Sequence, residues 1–179
     1  SNIFSPSTPY AVSRSSCDLH LLSFFKAYNF PVIFTRAANV YGPGQQLYRI
    51  IPRTLLSIIS GEKLLLHGGG LSERSFIHVN DMSNAILTIA LKGDIGTSWH
   101  ISTQSKISIK SLVEMICKIF DKEYSKIVVE EEERLGKDKS YLLDSNAIRL
   151  AFGWEDKISL KEGIMETYNW IKSNYKKIK

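Results

Sequence analysis

A tyrosine and an arginine near the start of the chain have the types and the spacing of a proton-transfer pair. Tyr10 follows Pro9 at the end of a Pro-rich stretch, and proline there is typical of the first turn of a helix. In a helix, Tyr10 and Arg14 lie four residues apart on one face. A cation at that distance favours the phenolate form and supports acid/base chemistry. An aromatic cap beside a surface arginine has the same spacing, and the spacing alone favours that plainer interpretation.

Two further residues have the chemistry of ligand binding. Asn39 follows an apolar, β-branched run, residues 31–36, which predicts a buried parallel strand. Ligands of open α/β sheets bind beyond the carboxyl ends of the strands, although a plain loop with an asparagine turn residue fits the same letters. Arg74 lies in a strand-like stretch, residues 72–81, and its guanidinium could bind a pyrophosphate with two hydrogen bonds.

Other candidates have weaker signals. His78 has no second ligand at metal-binding spacing, so a structural histidine is favoured and no metal site is predicted. The three glycines at 68–70 lack the Gly-Lys-Ser/Thr that follows in phosphate-binding loops, and they predict a turn.

Helices and strands alternate along the chain, which predicts the α/β class. Apolar periodicity and capping residues predict helices, with Asp81, Ser108 and Asp144 as N-terminal caps of three of them. The predicted helices are residues 10–28, 50–61, 81–92, one beginning after 108, 145–152 and 159–176. Further strands are predicted at residues 63–67, 97–102 and 126–130.

The composition is that of an ordinary globular protein, with 44% hydrophobic and 23% charged residues among 179. The net charge of +5 includes a lysine-rich end that fits the last turns of a helix, and no basic stretch is interleaved with aromatics, so no nucleic-acid partner is expected. No apolar run has membrane-spanning length. Cys17 and Cys117 lie in apolar helical patterns and are predicted to be buried free thiols, which favours a cytoplasmic setting.

Several motifs, in order, resemble those of the extended short-chain dehydrogenase/reductases that act on nucleotide sugars. Pro-Tyr-x-x-Ser-Arg at 9–14 resembles the family's Tyr-x-x-x-Lys helix, with arginine in place of lysine. The resemblance implies that Tyr10 is the catalytic acid/base. It also implies that Arg14 holds the nicotinamide ribose of NAD and tunes the tyrosine.

The stretch from Arg36 to Gln45 resembles the family's Arg-x-x-Asn-x-Tyr-Gly-Pro-x-Gln. By this resemblance, Asn39 reaches the substrate, and Ala37 lies beside the nicotinamide through its backbone. Ile51 and Pro52 match the approach to the nucleotide base, although either could be a core residue and the core interpretation is favoured for Ile51.

Later motifs resemble those that bind the nucleotide part of the substrate. The stretch containing Arg74 resembles the one whose arginine binds the substrate diphosphate, and His100 stands where an asparagine often contacts a phosphate. Residues 134–144 resemble a loop of the deoxythymidine-diphosphate-glucose 4,6-dehydratases, which implies that Arg134 and Lys137 clasp the nucleotide.

The resemblance implies the C-terminal part of such an enzyme. Residues 1–45 would be the end of a Rossmann-type domain, its last helix and strand. Residues 46–179 would be a small mixed α/β substrate-binding lobe with an interleaved Rossmann-sheet strand. The chain has no Gly-x-x-Gly-x-x-Gly motif, so it is expected to be inactive alone.

The expected function is a part in an NAD-dependent nucleotide-sugar 4,6-dehydratase that oxidises the C4 hydroxyl and works as a homodimer. A UDP-sugar 4-epimerase or decarboxylase, and a non-catalytic nucleotide-sugar-binding module, are the alternatives.

Overall fold

A computed structural model of the chain describes residues 5–132 and 140–178, and it confirms the α/β class. The helices are α1 Pro9–Tyr28, α2 Ile50–Ser60, α3 Val79–Lys92, α4 Ile109–Ile119, α5 Tyr124–Ile127, α6 Asn146–Phe152 and α7 Leu160–Ile178. The strands are β1 Phe34–Ala37, β2 Asn39–Tyr41, β3 Leu64–His67, β4 Glu73–Arg74, β5 Phe76–His78, β6 Ser98–Ile101, β7 Ile107–Ser108, β8 Val128–Glu131 and β9 Ser140–Tyr141. A short 3₁₀ turn, Gly68–Gly70, follows β3.

Most strand pairs are parallel, as the apolar runs and helical crossovers of the sequence require. β1 pairs with β6, β2 with β5, and β3 with β8, each in parallel. β4 lies between β7, which is antiparallel to it, and β9, which is parallel. The β1–β6 and β2–β5 pairs meet at Ala38, whose N–H donates to the Ile101 carbonyl at 2.9 Å, while Asn39 N–H donates to Ser75 at 3.1 Å. The chain therefore passes from one strand pair to the next directly before Asn39.

Three apolar clusters hold these strands beneath the helices. The largest joins α2, α4 and α7 around buried Tyr41 and Phe76, the second lies under α3 and α6, and the third lies between α4 and the β3–β8 pair. Tyr41 and Phe76 meet edge to face, with ring centroids 6.4 Å apart. Burial of these aliphatic and aromatic side chains is the main source of stability.

Residues typical of helix ends lie at several of the observed helix boundaries. α1 ends at Asn29, which adopts the left-handed conformation at φ 52°, and α2 ends at Gly61 at φ 77°. Ser108 Oγ accepts a hydrogen bond from Ser111 N–H at 3.0 Å, as an N-terminal cap does. α7 begins with a reciprocal pair, in which Ser159 and Glu162 each accept from the other's N–H.

The prediction that Asp81 caps α3 is wrong. The helix begins two residues earlier, at Val79, and the His78 side chain accepts from Asn80 N–H at 3.4 Å. Asp81 lies in the first turn, is buried, and accepts from Ile158 N–H at 3.0 Å. The carboxylate therefore ties the approach to α7 onto α3, a long-range contact that the local sequence does not encode.

The prediction of two buried thiols holds for Cys117 and is wrong for Cys17. Cys117 is buried against β3 and β8, and burial raises the pKa of its thiol. Cys17 is exposed because α1 buries none of its side chains in the described structure. α1 is attached through Asp18, which forms an ion pair with Arg36 of β1, and through Phe25, whose ring lies against Gly96.

Candidate functional site

A cavity of about 940 Å³ opens at the carboxyl ends of β2 and β3. Its wall includes the turn after β2, the first turn of α2, the end of β3 and strand β4. The residues that follow β2 and the last residues of β3 line this one cavity, and the carboxyl ends of strands are where open α/β sheets bind ligands. The cavity is therefore the candidate site.

The acidic and basic side chains of the described cavity wall are all basic. Arg49, Arg53, Arg74 and His67 line it, and no aspartate or glutamate is among the described residues that do so. Arg49 precedes the first residue of α2 and Arg53 lies one turn further, so the partial positive charge of the helix N-terminus adds to theirs. A wall of guanidiniums without carboxylates is suited to a ligand with more than one negative charge.

Contacts within the wall fix some of these groups. Arg74 Nη1 donates to the Glu73 carbonyl at 2.7 Å, and the Arg49 guanidinium lies over the Tyr48 ring, 5.4 Å from its centroid. His67 Nδ1 lies 3.0 Å from a carboxylate oxygen of Glu131, its partner residue in the β3–β8 register. These contacts hold the side chains at the wall before any ligand binds.

Three of the predicted site residues meet at this cavity. Asn39 Nδ2 donates to the Ser75 carbonyl at 3.2 Å, which fixes the amide at the start of β2. Ile51 lines the cavity and is also part of the largest apolar cluster, so it is a core residue, and its contact with a nucleotide base stays a prediction. Arg74 enters from β4.

The other predicted site residues do not line the cavity in the described structure or lie outside the described residues. Tyr10, with 75% of its surface exposed, and Arg14 are solvent-facing side chains one turn apart on α1. Ala37 ends β1 opposite Ile101, and His100 lies on β6 opposite Arg36. Pro52 is buried in the first turn of α2. The two remaining predicted residues, Arg134 and Lys137, lie outside the described residues.

Sequence reasoning missed Arg49 and Arg53. They flank the Ile-Ile-Pro run at an i, i+4 spacing, and a predicted helix start with two arginines on one face is a readable signal for an anion. Ser72 and Gln45 also line the cavity and were not predicted. Gln45 ends the motif that begins at Arg36, which is a readable signal, whereas no sequence signal distinguishes Ser72 from an ordinary turn residue.

Tyr41 lines the cavity but is not suited to proton transfer. Burial raises the pKa of its phenol well above the ordinary value, and the negative charges of Asp81, Glu166 and Glu162 raise it further. Its hydroxyl is within 3.4 Å of the Ser159 carbonyl and 3.5 Å of the Leu160 carbonyl. Tyr41 is therefore a neutral core residue, unlike the exposed phenol of Tyr10.

Neither a metal centre nor a membrane span is found in the part of the chain that the structure describes. Within residues 5–132 and 140–178, no group of three or more histidine, cysteine, aspartate or glutamate side chains could hold a metal ion. No helix in those ranges is both long enough and apolar enough to cross a membrane.

Similarity to known proteins indicates the family of this chain. Residues 1–102 match the model of the NAD-dependent epimerase/dehydratase family. Human dTDP-D-glucose 4,6-dehydratase is 31% identical over 175 residues, which are 95% of this chain and 50% of the human protein. The chain thus spans about half the length of the curated relatives it matches.

Solved protein structures show the same similarity. The crystal structure of dTDP-glucose 4,6-dehydratase from Bacillus anthracis in complex with NAD superposes with a TM-score of 0.89 at 32% identity, covering 96% of this chain and 54% of that one. UDP-glucuronic acid 4-epimerase from Bacillus cereus, in complex with UDP-glucuronic acid and NAD, gives 0.87 at 25% identity, covering 96% and 55%. With more than half of its residues matched by the family model, the chain belongs to the NAD-dependent epimerase/dehydratase family.

Proposed function

We propose that the chain is the substrate-binding part of an NAD-dependent nucleotide-sugar 4,6-dehydratase. The observation that carries this proposal is the cavity lined by three arginines and by no described carboxylate. A diphosphate linking a nucleoside to a sugar carries two negative charges, and guanidiniums bind phosphates with paired hydrogen bonds. The similarity to dTDP-glucose 4,6-dehydratases supports this choice of reaction.

Several of the residues that line the cavity then have a role in binding the substrate. Arg74 binds the diphosphate from β4, and Arg49 and Arg53 add charge from the start of α2. Asn39 contacts the substrate with an amide already oriented by its hydrogen bond to Ser75. Ile51, with Pro52 behind it, forms the apolar side toward the base. We also propose nucleotide contacts for His100, Arg134 and Lys137, which rest on the sequence resemblance.

The residues proposed to contact NAD and to transfer the proton lie on α1 and β1. Tyr10 and Arg14 present an accessible phenol and a cation on one helix face, and Ala37 leaves the end of β1 free of a bulky side chain. These features fit a nicotinamide nucleotide. When bound, NAD supplies the hydride acceptor for oxidation at the sugar C4. Tyr10 takes the proton of the C4 hydroxyl on its phenolate oxygen, and Arg14 stabilises that phenolate.

A UDP-sugar 4-epimerase is the second candidate, because the Bacillus cereus epimerase has nearly the same fold over this chain. Epimerisation and dehydration both begin with oxidation at C4, so the described cavity serves either. A decarboxylase of the same family and a binding module without chemistry are the remaining alternatives. The product that a longer polypeptide forms from a dTDP- or UDP-sugar distinguishes the three reactions, and binding without any product indicates the binding module.

We further propose that the enzyme is a cytoplasmic homodimer with α1 in its interface, and that the domain boundary falls near residue 45. α1 exposes apolar side chains that a second copy could cover: Val12, Leu19, Leu21, Phe24 and Tyr28. Burying such a surface is favourable at the scale of ordinary dimer interfaces.

Calorimetric titration of the chain with dTDP, UDP and GDP tests the binding role. One diphosphate is expected to bind selectively, and Arg74→Ala is expected to weaken it about 10- to 100-fold, the usual loss for a hydrogen bond between charged groups. Lys122→Ala, which removes an exposed cation outside the cavity, is the control and is expected to bind normally. Equal affinities of the Arg74→Ala and wild-type chains would contradict the diphosphate role.

The 179-residue chain is expected not to convert dTDP-glucose in the presence of NAD. Its sequence contains no glycine-rich dinucleotide motif, so the cofactor has few partners to hold it beside Tyr10. Dehydration and epimerisation are both redox-neutral overall, so NADH does not accumulate, and chromatography of the nucleotide sugars in a mixture of chain, NAD and dTDP-glucose is the measurement. Conversion of dTDP-glucose to another nucleotide sugar would disprove the expectation.

A further inference from the structure

Ser72 has a buried hydroxyl at the cavity wall with no partner in the protein. The residue is 7% exposed, lines the cavity, and its Oγ has no hydrogen bond within the described residues. Its backbone, in contrast, is engaged, because its carbonyl accepts from Ile109 N–H at 3.1 Å. Buried polar groups in native proteins are nearly always paired, so an orphan hydroxyl at a cavity calls for a ligand.

The position of Ser72 relates it to the proposed diphosphate. It lies directly before β4 and two residues before Arg74, a spacing that places side chains on the same side where the backbone is extended. Both residues line the same cavity. Rotation about the serine Cα–Cβ bond moves Oγ among three staggered positions, which lets the hydroxyl turn toward a bound group.

Of the five buried side-chain atoms that lack a partner in the described structure, one other belongs to a cavity-lining residue. It is Gln45 Oε1, whose amide is fixed because Nε2 donates to the Val40 carbonyl at 2.7 Å. An amide oxygen is an acceptor and repels an anion, whereas a hydroxyl can donate. Ser72 is therefore the unpartnered group with the right polarity for a phosphate oxygen.

We propose that Ser72 donates a hydrogen bond to a phosphate oxygen of the nucleoside diphosphate, beside Arg74. This inference rests on the proposed function and adds a neutral donor to its diphosphate site. A neutral donor complements the arginines because it adds a further hydrogen bond to a phosphate oxygen without adding charge.

The proposal predicts an unusual combination of effects for Ser72→Ala. Affinity for the diphosphate is expected to fall about 10-fold, as for a lost hydrogen bond to a charged group. The melting temperature of the unliganded chain is expected to stay the same or rise, because the variant removes a buried hydroxyl that has no partner. A structural serine would give the opposite result, with lower stability.

The test is titration with UDP and with dTDP, together with thermal melting, of the wild-type chain and three variants. Ser72→Ala is expected to lose affinity and Ser72→Thr, which keeps the hydroxyl, to retain most of it. Ser57→Ala is the matched control, because Ser57 is 5% exposed in α2 but does not line the cavity, and it is expected to bind normally.

Each outcome has one meaning. Normal binding by Ser72→Ala, or a loss that Ser57→Ala shares, overturns this inference and leaves the proposed function standing. Failure of the wild-type chain to bind either diphosphate overturns the proposed function, and the inference with it. Weaker binding by Ser72→Ala alone, at unchanged or higher melting temperature, supports both.

Discussion

Tyr10→Phe, made in a polypeptide that joins this chain to a dinucleotide-binding half, is expected to lower kcat by about 10²–10⁴-fold, the usual range for loss of a general acid/base. Phenylalanine keeps the ring and removes only the hydroxyl that would exchange the proton. Because Tyr10 lies outside the arginine-lined cavity, nucleotide affinity is expected to stay the same. Steady-state kinetics with dTDP-glucose and NAD, alongside calorimetric titration, measure the two quantities separately.

A matched control lies on the same helix. Tyr28 has the same exposed fraction as Tyr10, 75%, at the opposite end of α1, and Tyr28→Phe keeps the ring that the proposed dimer interface would cover, so this variant is expected to leave kcat unchanged. Arg14→Lys retains a cation one turn from Tyr10 and is expected to remain active, whereas Arg14→Gln is expected to lose activity. A Tyr10→Phe enzyme with normal kcat would rule out the acid/base role. Activity that appears only in Arg14→Lys would favour the binding-module alternative.

Gly163→Ala is expected to lower the free energy of unfolding by about 2 kcal/mol, at the scale of overpacking in a close-packed core. Gly163 lies in the first turns of α7, where its Cα faces the Tyr41 ring and His78. An added methyl group would collide with Tyr41 Oη and would lie 2.8 Å from His78 Cδ2. In an open helix the same substitution would stabilise by about 1 kcal/mol, so the collision must exceed that gain. Urea unfolding followed by circular dichroism measures the difference.

Two variants isolate the cause. Lys161→Ala lies two residues away on an exposed part of α7 and is expected to change stability little. Tyr41→Phe removes the oxygen nearest to the new methyl group, so the double variant is expected to recover part of the loss, beyond the additive value. A Gly163→Ala chain at least as stable as wild type would mean that α7 can shift away from β2.

Features set by neighbours along the chain were predictable from the sequence. Asn29, Gly61 and Ser108 end or begin helices through hydrogen bonds to residues three or four positions away. His78 was predicted to be structural, and it is buried with Nε2 3.4 Å from a carboxylate oxygen of Glu166. These outcomes need only local backbone chemistry and the rarity of isolated histidine ligands.

Features that depend on distant segments were not predictable. Asp81 has the chemistry of a helix cap, but it binds the backbone of residue 158, which no local pattern indicates. Cys17 has an apolar helical pattern around it, but burial needs a partner surface, and α1 has little within the described structure. The positive charge of the cavity wall comes from Arg49 and Arg53 at the start of α2 and from Arg74, at least 21 residues further along the sequence, and the fold brings them to one cavity.

Because α1 has few contacts with the rest of the described structure, part of the free energy of an association that covers it would be needed to fix its position. Preorganised catalytic groups add most to a rate when their positions are fixed before the substrate arrives. Here the ion pair between Asp18 and Arg36, and the contact of Phe25 with Gly96, hold a helix of 20 residues that has no buried side chain. The entropy cost of fixing Tyr10 must then be met by whatever covers the exposed face of α1. The proposed acid/base group would then reach its working position only on association, whereas the arginines of the cavity are already in place within the chain.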